Sequence, residues 1–250
     1  MPMEERRRQI MEDLVASGSV SVGELAHKYS VTYETIRKDL SYLEERGYVI
    51  KGYGEATLKR STAEMPFGTR AQENGEAKAA VARAALEFIP EGGAIIVCTG
   101  STVLELAKLL MLRQGLKVFT DSLPAASLLV NSENQSFFFG GELRRQSSST
   151  FGGWTIEQIR QIQADVCFMG TDGFSGLGGP SSPSSSDAFV DREVLEHSDN
   201  CYVLADHTKF TRRGLYKICD WEDVSRLITN RKSNPELVAQ VQQHTTVTLA

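Results

Sequence analysis

Apolar residues recur at two different periods along this chain, and the change of period divides it. Over residues 1–58 the spacing is helical, three or four residues between apolar positions. Ile10, Met11, Leu14 and Val15 mark one helix across 3–17, and Leu25 and Ala26 a second across 22–29. Ile36, Leu40 and Leu43 mark a third within 31–46, at i, i+4 and i+7. Thr32 suits the N-cap of this third helix and Gly47 its C-terminal stop. Residues 49–58 then alternate around Gly52 and Gly54, the pattern of a small β-hairpin. Helix, helix, turn, helix and hairpin together outline a winged helix-turn-helix.

Residues 59–74 lack periodicity and read as a linker. From residue 75 short apolar runs at 94–98, 116–120, 136–140, 166–170, 201–205 and 226–229 alternate with helical stretches, and 246–249 closes the series. Repeated βα units imply a mostly parallel sheet with helices on both faces, a Rossmann-like α/β domain over 75–250. The fold class expected is therefore α/β with an N-terminal winged helix-turn-helix.

The third helix carries its chemistry on the face opposite the apolar stripe. Glu34 and Lys38 point away from the stripe, Thr35 and Arg37 lie on its shoulders, and Tyr33 falls nearer the apolar edge. With Thr32 these form a candidate base-reading end, since Arg and Lys reach guanine acceptors or phosphates and Glu accepts from the cytosine amino group. Lys51 and Tyr53 are the candidate contacts of the wing. The same helix also fits a plain amphipathic helix with a solvated face; the elements around it favour DNA.

In a parallel α/β sheet, ligands bind beyond the carboxyl ends of the strands. Polar residues collect there: Thr99, Gly100, Ser101 and Thr102; Asp121 and Ser122; Gly140, Gly141 and Arg144; Thr171, Asp172 and Gly173; Asp206 and Lys209. A Gly-Ser-Thr turn entering a helix offers backbone N–H groups to a phosphate, although Ser101 or Thr102 could instead simply cap that helix. Carboxylates and hydroxyls beside it suit the hydroxyls of a sugar. The expected ligand is a phosphorylated sugar. Segment 175–187 (SGLGGPSSPSSSD) is low-complexity and reads as a flexible loop or a lid.

Net charge of −5 argues against a protein that coats nucleic acid indiscriminately. Residues 1–60 balance ten basic against ten acidic side chains, so the acidity lies downstream. The four cysteines are dispersed, which suits reduced thiols rather than disulfides or zinc. No histidine shows metal-ligand spacing, His207 is expected only to line the site, and Trp154 and Trp221 are expected to pack. No metal or cofactor is expected, nor a membrane span or signal peptide, and the compartment expected is the cytoplasm.

Leu25-Ala26, the run Thr35-Ile36-Arg37-Lys38-Asp39-Leu40, Leu43-Glu44, Gly100-Ser101-Thr102, Thr120-Asp121-Ser122, Gly140-Gly141 and Asp206-His207-Thr208-Lys209-Phe210 resemble, in order, the DeoR family of bacterial transcriptional repressors. The resemblance implies a sensor domain similar to ribose-5-phosphate isomerase, control of a carbohydrate-use operon through double-stranded operator DNA, and a homo-oligomer, dimer or tetramer. An activator and an enzyme are the alternatives. Against the enzyme, Asp172-Gly173-Phe174-Ser175-Gly176 replaces the isomerase's D-G-A-D-E run and lacks its later carboxylates. Three departures stand out within the family pattern. Glu55 sits in the wing, Asp121 replaces the middle residue of a usual T-N-S triplet, and PSSPSSSD lengthens a loop.

Overall fold

The computed structural model describes residues 2–17, 19–45, 48–58 and 65–250, in two compact units, Met1–Ser61 and Thr62–Ala250. Gly47, expected to end the third helix, lies outside the described residues.

In the first unit, helices Met3–Ser17, Val22–Tyr29 and Tyr33–Glu45 enclose Ile10, Leu14, Leu25, Ile36, Leu40 and Leu43. Ser21 caps the second helix by accepting from Gly23 N at 3.2 Å. Ser30, in the left-handed region at φ 54°, ends that helix and turns the chain into the third. Strands Val49–Lys51 and Glu55–Leu58 form the hairpin. Ser19–Ser21 adds a third antiparallel strand against Glu55–Leu58, so the wing is fixed to the helices by backbone pairing as well as by Val49 and Ala56 in the core.

The second unit is built on seven strands whose six pairings are all parallel. Their spatial order is Thr246–Leu249, Arg226–Thr229, Cys201–Ala205, Val166–Met169, Ala94–Val97, Lys117–Thr120 and Gln135–Phe138. Successive side chains alternate between the two faces. Ile95, Val97, Val166, Phe168 and Leu204 pack into one core layer, while Ile96, Cys167, Met169 and Val203 pack into the other. The central strand Val166–Met169 is buried on both sides, as an apolar run without alternation requires. Chain order reverses between Ala94–Val97 and Val166–Met169, because strands after the first run outward one way and strands after the second the other way. A crevice opens at such a switch point.

Two segments differ from their sequence reading. The stretch 59–74 contains the helix Phe67–Gln72, which belongs to the second unit; six residues are too few to display a period. Segment 175–187 is not a loose loop. Ser181–Ser182 is a strand paired with Tyr216–Lys217, Ser181 and Ser182 are buried, and Ser184 caps helix Ser185–Glu196. Cys98, Cys167 and Cys201 are buried free thiols and Cys219 is half-buried. Trp221 packs edge-on to Phe174, whereas Trp154 is 81% exposed and does not pack as expected.

Candidate functional site

The third helix presents its polar face beside the wing. Glu34, Arg37, Lys38 and Ser41 line a groove with Lys51, Gly52, Gly54 and Glu55. Thr32 Oγ1 accepts from Thr35 N at 3.2 Å, which anchors the helix start and leaves Arg37 and Lys38 exposed. Tyr33 is 60% exposed, its ring beside Gly23 at the start of the second helix. Lys51 is already engaged: its Nζ lies 2.9 Å from Glu44 and from Ser41 Oγ. Tyr53, at the tip of the hairpin, is fully exposed. Glu55 shares the groove with Glu34, so two carboxylates oppose the three cations of this face.

The second site is a pocket at the switch point. Thr99, Gly100, Ser101, Thr102, Thr171, Asp172 and Lys209 line it, as the strand-end reading expected. Helix Ser101–Leu110 begins at Gly100, with φ 150°, and no side chain caps its first turn. The alternative that Ser101 or Thr102 merely caps the helix is therefore overturned. Its first N–H groups keep the partial positive charge that attracts an anion. The chain can pass here because Gly100 and Gly170 bring two strand ends close, an added Cβ on Gly170 lying 3.3 Å from Thr99 O.

Lys209 is 7% exposed, and its burial lowers its pKa against the opposing pull of Asp172 and Asp206. Thr171 Oγ1 exchanges hydrogen bonds with Ser181 N and O at 3.1 Å, tying the strand end to the serine segment.

The other expected ligand residues serve the frame. Asp121 is buried and its Oδ1 accepts from Thr99 N at 2.8 Å; burial, with Asp187 adding repulsion, raises its pKa to about 7. Ser122 caps helix Leu123–Leu129. Gly140 exchanges hydrogen bonds with Gln158, and Gly141 leaves no room for a side chain, an added Cβ falling 2.1 Å from Thr155 Oγ1. Gly173 likewise packs on the Arg212 backbone. Asp206 caps the turn at Thr208, and its pKa is lowered although burial opposes, because Lys209 and Thr208 favour the carboxylate. Arg144 reaches Asp187 at 3.1 Å and Ser147 Oγ at 3.2 Å. His207 donates its backbone N–H to Asn230 and is not among the lining residues.

Sequence reading missed Arg70, Ser147, Gly170, Ser181, Ser182, Asp187, Asp191 and Ile218 in the lining. Arg70 comes from the supposed linker. Its Nη1 stands 3.6 Å from Asp172, and its Nε is buried without a hydrogen-bond acceptor. A buried donor left unpaired costs about 1–3 kcal/mol, a cost that an incoming acceptor relieves. Behind it, Lys78 Nζ donates to the carbonyls of Arg70 and Glu73 and fixes the end of helix Phe67–Gln72; burial lowers its pKa to about 8.

Comparison with known families matches residues 6–62 to the DeoR-like helix-turn-helix domain and residues 73–231 to the DeoR C terminal sensor domain. Transcriptional repressor AccR of Agrobacterium fabrum is 32% identical over 91% of this chain and 89% of its own. The glycerol-3-phosphate regulon repressor of Escherichia coli K12 is 29% identical over 86% of each. Among solved structures, ribose 5-phosphate isomerase A of Methanocaldococcus jannaschii overlaps 55% of each chain at 18% identity with a TM-score of 0.42.

Proposed function

This chain belongs to the DeoR family of transcriptional regulators, and from that premise we propose that it represses a carbohydrate-use operon and that a phosphorylated sugar controls its grip on the operator. Thr32, Tyr33, Glu34, Thr35, Arg37 and Lys38 meet the major groove, and Lys51 and Tyr53 meet the backbone beside it. In the second unit, the phosphate rests on the uncapped start of helix Ser101–Leu110 between Arg70 and Lys209, while Thr99, Thr171 and Asp172 meet the sugar. The observation that carries this reading is one pocket at the switch point holding an uncapped helix start together with a buried guanidinium whose Nε has no acceptor.

Association into a dimer or tetramer and a cytoplasmic location belong to the same proposal. Among the described residues no helix is long and apolar enough to cross a membrane. Titrating a panel of sugar phosphates against the protein–operator complex tests the reading, with melting of the free protein as a second readout. At least one compound is expected to change operator affinity and to raise the melting temperature. If the whole panel leaves both unchanged, the sensor assignment is wrong.

A further inference from the structure

Two buried ionisable side chains, one basic and one acidic, line the pocket, and neither has a partner at ion-pair distance. Lys209 is 7% exposed and Asp191 is 8% exposed, and among the described residues no hydrogen bond or ion pair reaches the ammonium of the first or the carboxylate of the second. Buried charges are normally paired with each other or with something else. That these two stand apart in one pocket points to a ligand that supplies a partner to each.

The surroundings of the two charges differ. Around Lys209 gather Arg70, with its unsatisfied Nε, and the uncapped helix start at Gly100, which suit an anion, while Asp172 and Asp206 pull on the ammonium from further off. Around Asp191 gather more carboxylates. Asp187 lines the same pocket from one turn earlier on helix Ser185–Glu196, and Asp121 lies behind it. Arg144 balances Asp187, but among the described residues no basic group stands at ion-pair distance from Asp191. Burial, with repulsion from Asp121, Asp187 and Asp172, pushes the pKa of Asp191 well up. A sugar hydroxyl would leave this carboxyl protonated, whereas an ammonium group arriving beside it would offset the burial and the repulsion and hold it as the carboxylate.

We propose that the effector is an amino-sugar phosphate, its phosphate held by Lys209, Arg70 and the start of helix Ser101–Leu110 and its protonated amine held by Asp191 with Asp187 beside it. This rests on the sugar-phosphate reading above and narrows it to a zwitterionic class of ligand. An acetylated amine carries no charge and gains nothing from Asp191.

The test measures binding of glucosamine 6-phosphate and galactosamine 6-phosphate by calorimetry, against the matching hexose 6-phosphates and N-acetylhexosamine 6-phosphates. The full-length protein is used, as wild type and as Asp191→Asn. In the wild type, one amine is expected to bind roughly tenfold or more tighter than its hydroxyl and N-acetyl counterparts. In Asp191→Asn that preference, measured as the ratio of amine to hydroxyl affinity within the variant, should fall to about twofold or less, because the amide retains the shape and loses the charge. Equal or tighter binding of the uncharged counterparts overturns the proposal, and so does a preference that survives in Asp191→Asn. If the variant does not fold, the ranking of compounds on the wild type decides alone. If none of these phosphates binds the wild type, the sugar-phosphate reading itself has failed, an outcome distinct from binding without preference.

Discussion

Arg6 Nε lies 2.6 Å from Asp39 Oδ2, joining the first helix to the third in the interior of the DNA-binding unit. Arg7 Nε takes the other oxygen at 2.8 Å, so a single carboxylate, 1% exposed, holds two guanidinium groups. Asp39 is part of the Thr35–Leu40 run that resembles the family's recognition helix, yet it points inward with Ile36, Leu40 and Leu43. Its part in that run is orientation of the helix, not contact with bases.

Replacing Asp39 by Ala leaves two arginines without their anion, one of them almost fully buried. Breaking a buried ion pair from one side costs about 3–5 kcal/mol. Asp39→Ala should therefore lower the denaturation midpoint of the DNA-binding unit and lose operator affinity together with it. Affinity lost at unchanged stability would show that Asp39 acts on DNA directly.

Arg37 and Lys38 behave in the opposite way. Both are exposed on the groove face and neither supports the core. Arg37→Ala and Lys38→Ala should each weaken operator binding with the melting temperature unchanged, and each lost phosphate contact should reduce the salt slope of binding by about one. Operator affinity equal to wild type in both variants would remove the helix from the interface.

Much of this was legible in the chain because burial imposes a period. The stripe Ile36, Leu40 and Leu43 places the third helix, and the apolar run at 166–170 places the central strand with its end within a residue. Polar strand ends were less informative. Asp121, Ser122 and Asp206 are there to satisfy backbone N–H groups at turns, a demand any strand end makes whether or not a ligand binds. Arg70 was missed because a six-residue helix shows no period, and Asp187 and Asp191 because they lie on a helix, away from the strand ends where ligand residues were sought. One signal was available: Asp187 and Asp191 are spaced i, i+4, which puts two carboxylates on one helical face.

Arg70 offers a cleaner test of the anion site than Lys209, since its Nε has no acceptor to lose. Arg70→Ala should retain ligand-free operator affinity and lose the response to a sugar phosphate. Ligand at about 100 times its dissociation constant stabilises the wild type by roughly 2.7 kcal/mol, and the variant should show little of that shift. Arg70→Lys should not restore it, because a lysine lacks the planar fork that presents Nε and Nη together. A full thermal shift in Arg70→Ala would place the phosphate elsewhere.

Asp121 makes stability depend on pH in a direction opposite to that of a salt-bridged aspartate. Burial, with Asp187 in second place, raises its pKa from 3.8 to about 7, so between roughly pH 4 and 7 the folded protein holds a proton that the unfolded chain has released. Its contribution to stability is therefore present below pH 4 and is lost as pH rises through 7. Asp121→Asn keeps an oxygen acceptor for Thr99 N and has no proton to lose. The variant should match the wild type near pH 4.5 and exceed it at pH 8 by on the order of 2–4 kcal/mol in chemical denaturation. Asp191 remains in both proteins, and with Asp121 uncharged its own carboxyl ionises more readily, which adds to the gain at pH 8. Equal stability of the two proteins at pH 8 would mean that Asp121 is already neutralised by a positive charge in the folded state.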